Sequence, residues 1–217
     1  MVLEFFNRDR FLVTGNLFSD KFEDISRYAY HGSSSVYGED IERNGLIWPF
    51  YPIPQDEILA LAATLNEDVD SDLIECLKRS AHRSTRISLA PYSYVALKHA
   101  QIKRGGQIVD ICRMAIAAGG IASPTLLSKL NELNLAESCV YVIDLSACRF
   151  PNVRFESGVF QSTEAIIPSM LAAKIIVPND FQITDLDGLR SLKPPHTAFL
   201  EKNSIASRLA AMNQDDL

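Results

Sequence analysis

Residues 28–46 read Tyr28-Ala29-Tyr30-His31-Gly32-Ser33-Ser34-Ser35-Val36-Tyr37-Gly38-Glu39-Asp40-Ile41-Glu42-Arg43-Asn44-Gly45-Leu46. The aromatic run Tyr28 to Tyr30 predicts a strand that ends in His31-Gly32-Ser33. A glycine directly after the histidine lets another backbone or a ligand approach without meeting a side chain. The serines offer an N-cap for a short helix over Val36 to Arg43, which Asn44-Gly45 terminates. A histidine held between a strand and a capped helix can hydrogen-bond a polar ligand with little reorganisation. The same stretch also reads as a surface turn carrying an incidental histidine.

Outward from that stretch, Phe11 to Thr14 predicts a short strand stopped by Gly15-Asn16. Leu46 to Pro54 carries Trp48, Phe50 and Tyr51 among three prolines, which forbid a helix and make a stiff loop. Gln55 to Leu65 and Ser71 to Ala81 have helical spacing. Thr85 to Leu89 predicts a strand, and Pro91 opens a helix that runs to about Lys103 and is closed by Gly105-Gly106. Gln107 to Ile111 is expected as the next strand, followed by an Ala/Gly-rich connector, Ile116 to Ala122. Pro124 to Leu133 predicts a helix, and Val140 to Leu145, Ala165 to Ile167 and Lys174 to Val177 predict strands. Asn203 to Met212 has the spacing of a terminal helix. Helices falling between strands early and strands following late suggest an α+β fold with a largely antiparallel sheet.

With 217 residues, 47% of them apolar, the chain is long enough to bury a sizeable core as a single domain. A net charge of −6, with no Lys/Arg run longer than the pairs Lys78-Arg79 and Lys103-Arg104, argues against nucleic acid as a partner. The cysteines Cys76, Cys112, Cys139 and Cys148 lie far apart, and His82, His99 and His196 do not join them at zinc-ligand intervals, so no metal site is expected. No apolar run approaches membrane-spanning length, and the N-terminus has no secretory pattern. Synthesis in the cytoplasm is expected; export into a host or target cell by a signal-independent route would leave no trace.

Three segments carry a resemblance. The first is Tyr30-His31-Gly32-Ser33 with Asn44-Gly45-Leu46. The second is Arg86-Ile87-Ser88-Leu89-Ala90-Pro91, running into a helix with Ala96, Lys98, His99 and Ala100. The third is Phe160-Gln161-Ser162-Thr163-Glu164-Ala165-Ile166-Ile167-Pro168, followed by Ala173-Lys174-Ile175-Ile176-Val177. Their order over residues 28–177 resembles the ADP-ribosyltransferase superfamily, with its His-Gly-(Ser/Thr) motif, a strand running into a helix, and a late glutamate heading a Glu-x-hydrophobic-hydrophobic-Pro strand.

The resemblance implies a split, largely antiparallel sheet with flanking helices and a helical insert at about 55–82. It also implies NAD as co-substrate, consumed with release of nicotinamide, and a protein side chain as acceptor, as in a bacterial toxin or effector. Glu164 falls at the catalytic glutamate position, where a carboxylate stabilises positive charge developing on the ribose; Glu156 is the alternative carboxylate. Ser88 falls where family members orient the glutamate or the nicotinamide ribose. His31 would hold the ribose and adenine side of NAD, Gly32 would pair its backbone with the nicotinamide amide, and Ser33 would add a hydrogen bond.

This chain departs from the pattern in two places. Lys98 and His99 stand where a nicotinamide-stacking tyrosine is expected, leaving Tyr92, Tyr94, Tyr37 or Tyr51 to supply the ring, or His99 to take its place. Ser162 stands two before Glu164, where arginine-modifying members carry a second glutamate. Two other outcomes therefore stay open: an NAD glycohydrolase, and an inactive module of the same fold that binds protein.

Overall fold

The computed structural model describes residues 1–24, 27–46, 52–82, 87–103, 106–147, 153–156, 159–162 and 165–193. In chain order the elements are β1 (Val2–Phe5), α1 (Arg8–Thr14), β2 (Tyr28–Ser34), α2 (Gly38–Asn44), α3 (Gln55–Ala62), α4 (Glu67–Ala81) and β3 (Ile87–Leu89). Then follow α5 (Ser93–Lys103), α6 (Gln107–Ala117), α7 (Pro124–Leu135), β4 (Ser138–Asp144), β5 (Val153–Glu156), β6 (Val159–Ser162), β7 (Leu171–Val177) and α8 (Leu186–Ser191). The fold is mixed α and β. A four-stranded sheet has the order β1-β7-β4-β2, and a three-stranded sheet the order β3-β6-β5. The β1–β7 pair is parallel and every other described pair antiparallel.

The two sheets meet at one point. Tyr30 of β2 and Ala90, just past β3, exchange both backbone hydrogen bonds (2.9 and 2.6 Å), and there the pairing stops. Strand β4 explains why the larger sheet is central: Cys139 to Ile143 are all buried, as a strand covered on both faces requires. Alternation along β2 and β4 divides the core. Tyr28, Tyr30, Val140 and Val142 pack with α5 and with Phe11, Phe18 and Phe181. Ala29, Cys139, Tyr141 and Ile143 pack with residues of α2, α3, α4, α6 and α7 on the other face.

Several expectations are corrected. Phe11 to Thr14 is not a strand but the end of α1: the Asn7 side chain caps its start by accepting from the Arg10 N–H, and Gly15, at φ 67°, closes it. Gln107 to Ile111 is not a strand but the start of α6. Its buried Val109, Cys112 and Ala115 recur at helical spacing once Arg113 to Ala117 are read as one element with them. Ala165 to Ile167 reduces to a single bridge between Ile166 and Leu46. Strand β2 runs on to Ser34, beyond the predicted Tyr30, and α4 starts earlier than predicted, capped by Asn66. Strands β1, β5 and β6 and helix α8 have no counterpart in the sequence reading. Trp48, Phe50, Tyr51 and the helix expected at Asn203 to Met212 lie outside the described residues.

Candidate functional site

His31 sits on β2 opposite Tyr141, at the edge where β2 and β3 part. Its Nδ1 lies 3.0 Å from the carbonyl oxygen of Ser88. A carbonyl only accepts, so Nδ1 carries the proton and, in the neutral ring, Nε2 is left as an acceptor. Burial pushes the imidazole below its ordinary pKa, the Ser88 carbonyl works against that shift, and nearby His99 adds to it. The ring is thus held neutral, with a defined tautomer.

Gly32 has two distinct surroundings. On its α-carbon face a β-carbon would lie 1.9 Å from the carbonyl oxygen of Ala96 and 3.2 Å from the Ala100 β-carbon, so the backbone that approaches the bare glycine is that of α5. Its in-plane edge is different. Tyr30 directs both its polar groups toward β3, and the period of two directs those of Gly32 the same way. Continued register would set Gly32 opposite Ser88, but the Ser88 carbonyl is taken by His31 instead. Among the described residues, the Gly32 N–H and C=O have no partner on that edge. A donor and an acceptor side by side on an open strand edge suit a planar amide.

The three sequence segments are joined pairwise, once by the His31 side chain and twice through the backbone. His31 reaches Ser88, joining the first to the second. Ile87 pairs with Ser162, joining the second to the third. Leu46 and Ile166 exchange both hydrogen bonds (2.8 and 2.9 Å), joining the third to the first. Gly45, at φ 80°, makes that last junction possible, since a β-carbon there would lie 1.9 Å from the Ile166 carbonyl oxygen. Glu164 itself lies outside the described residues, between the anchored Ser162 and Ile166. Glu156 closes β5 opposite Val159.

The remaining candidates separate. Ser33 is half-buried on β2, on the same face as His31, and Ser88 is exposed on β3. His99 is exposed on α5, next to the Ala100 that abuts Gly32. Tyr92 and Tyr94 do not offer a stacking surface: each is 2% exposed, and their rings stack on each other at 5.8 Å within the core. Lys98 is also committed, donating to the Ile183 carbonyl at 3.0 Å. Among the described residues no group of histidines, cysteines and carboxylates is placed to hold a metal ion, and no helix is long and apolar enough to cross a membrane.

No protein-family model matches the chain, and no solved structure does. The phosphoribosylformylglycinamidine synthase subunit PurL of Thermosynechococcus vestitus is 28% identical over 165 residues, covering 67% of this chain and 21% of that subunit. The chain spans about a fifth of the length of this curated relative. A likeness that low and partial assigns no family.

Proposed function

We propose that the chain is a mono-ADP-ribosyltransferase that binds NAD where β2 and β3 part and transfers its ADP-ribose to a protein side chain, as a bacterial toxin or effector would. The observation that carries this reading is the pairwise joining of the three resembling segments, at His31–Ser88, Ile87–Ser162 and Leu46–Ile166. Segments up to about 130 residues apart in the chain are thus brought together pairwise, and the described strands fall into two sheets, which is compatible with this reading.

In this reading the Gly32 edge pairs with the nicotinamide carboxamide, and His31 Nε2 accepts from a ribose hydroxyl. Ser33 and Ser88 add hydroxyls, and His99 stands at the rim in place of the expected ring. The glycosidic bond to nicotinamide breaks with its electron pair leaving on the nicotinamide. The acceptor nucleophile bonds to the ribose carbon and gives up its proton. The Glu164 carboxylate stabilises the positive charge that develops between those events.

Burial of Tyr92 and Tyr94 favours a second reading, an inactive module of the same fold that binds protein. One experiment separates the outcomes: the chain is incubated with NAD and cell lysate, and products are read by mass spectrometry. A protein gaining one ADP-ribose, lost in Glu164→Ala, is the expected result. Free ADP-ribose with no modified protein indicates a hydrolase. Neither product, with no NAD binding by calorimetry, overturns the enzyme reading. Undiminished nicotinamide release by Glu164→Ala overturns the role of Glu164.

A further inference from the structure

Asn44-Gly45 is the one Asn-Gly pair in the chain, and it stands at the junction of the first and third segments. In such a pair the following backbone nitrogen can attack the side-chain amide carbon, because no β-carbon on the glycine obstructs the approach. The fold commits both reacting groups elsewhere. The Gly45 N–H donates to the Ile41 carbonyl oxygen at 2.8 Å and closes the last turn of α2. The Asn44 side-chain amide donates to Asp40 Oδ1 at 2.6 Å. Just beyond the pair, Leu46 exchanges both backbone hydrogen bonds with Ile166. Asn44 is exposed, so water reaches its side chain, whereas Gly45 is buried against Ile166.

We propose that Asn44 is a spontaneous modification site, gated by the last turn of α2, whose conversion releases the Leu46–Ile166 junction. When the turn opens, the Gly45 nitrogen bonds to Asn44 Cγ and the Cγ–Nδ2 bond breaks. The electron pair leaves with the amide nitrogen, which takes up the proton of the Gly45 N–H and departs as ammonia. Water then adds to one of the two carbonyls of the resulting five-membered imide and opens the ring. Opening at one carbonyl gives aspartate at position 44. Opening at the other gives isoaspartate, whose β-carbon lies in the main chain.

Both products oppose reclosure. Aspartate sets a carboxylate one turn from Asp40, where a donated hydrogen bond stood, and at the negative end of the helix dipole. Isoaspartate lengthens the main chain by one bond of about 1.5 Å directly before Gly45. Gly45 has little room to absorb it: at φ 80° and ψ −168°, a β-carbon on it would already lie 1.9 Å from the Ile166 carbonyl oxygen. The reaction therefore runs one way, from a closed junction to an open one. It needs only water, so its test is independent of NAD binding and transfer.

The test ages the full chain at neutral pH, folded and in guanidinium chloride, and follows Asn44 by peptide mass spectrometry. Conversion, seen as the mass gained when NH2 is replaced by OH, is expected to be roughly thirtyfold slower in the folded chain. Asp40→Ala, at an exposed position, is expected to raise the folded-state rate roughly twofold. Asn44→Asp supplies the first product directly and is expected to speed amide exchange at Leu46 and Ile166 roughly fivefold. Equal rates in the folded and denatured chain overturn the gate. No conversion at Asn44 in the denatured chain overturns the site. Exchange at Leu46 and Ile166 that stays unchanged in both Asn44→Asp and the aged chain overturns the release of the junction.

Discussion

The Ala96 carbonyl oxygen of α5 occupies the space that a β-carbon on Gly32 would need, 1.9 Å from its ideal position. The contact is backbone to backbone, so no rotamer can relieve it, and α5 must move away from β2 to admit even a methyl group. Gly32→Ala is therefore expected to destabilise the fold by about 3 kcal/mol, read as a lower urea midpoint. An unchanged midpoint would mean that α5 does not rest on β2 in solution.

Gly45→Ala probes the junction of the first and third segments. Its φ of 80° is strained for any residue with a β-carbon, and the Ile166 carbonyl oxygen fills the space beside it. Loss of about 2 kcal/mol is expected. Faster amide exchange at Leu46 and Ile166, which bond each other across this junction, should accompany it. If those two amides stay fully protected in the variant, the glycine is not what permits the bridge.

His31 makes stability depend on pH with a definite sign. Burial lowers its folded pKa below the ordinary 6.5, so the unfolded chain binds its proton first as pH falls. The stability it contributes is complete above 6.5 and is lost as pH drops from 6.5 through the folded value. Urea midpoints measured at steps from about pH 7.5 to about pH 5 should fall more steeply for wild type than for His31→Gln. Parallel curves for the two proteins would contradict the neutral imidazole.

Glu23 should behave in the opposite sense. Burial raises its pKa above 4.5, against the opposing hydrogen bonds from the Phe18 N–H and Ser93 hydroxyl and the fields of Lys193 and Arg10. The folded chain holds the proton longer, so its contribution is present at low pH and lost as pH rises from 4.5 through the folded value. Glu23→Gln keeps an acceptor oxygen for both donors without the charge. It is expected to raise stability at neutral pH; a destabilised variant would show that the ionised form is favoured.

Gln101 fastens α5 from its far side. Its side-chain amide donates to the Phe181 carbonyl at 2.8 Å, and its oxygen accepts from the Ile183 N–H at 3.0 Å, both buried. Gln101→Leu keeps the volume but strands both backbone groups, at an expected cost of about 2–3 kcal/mol with fast exchange at the Ile183 amide. Retained protection at Ile183 would show that the segment is held by its apolar contacts alone.

Local signals carried much of this architecture, and where they failed the failure is physical. Helices α3, α4, α5 and α7 and strands β2, β3, β4 and β7 were legible because apolar period, caps and prolines act within a few residues. Two errors came from windows that were too short. Phe11 to Thr14 is a helix only when Asn7 and Gly15 are read together as its caps, and Gln107 to Ile111 only when joined to the residues after it. Strands β5 and β6 are four residues each, too short for alternation to identify them.

The site divides the same way. The sequence by itself determined the three segments, the glycines that permit close approach, and the imidazole beside them. Only the tertiary structure decided that Gly32 bears a helix on one side and an open edge on another, that Tyr92 and Tyr94 belong to the core, and that Lys98 is tied to Ile183. Those outcomes depend on which distant backbone arrives at each residue, and a residue type records the space it leaves but not what comes to fill it.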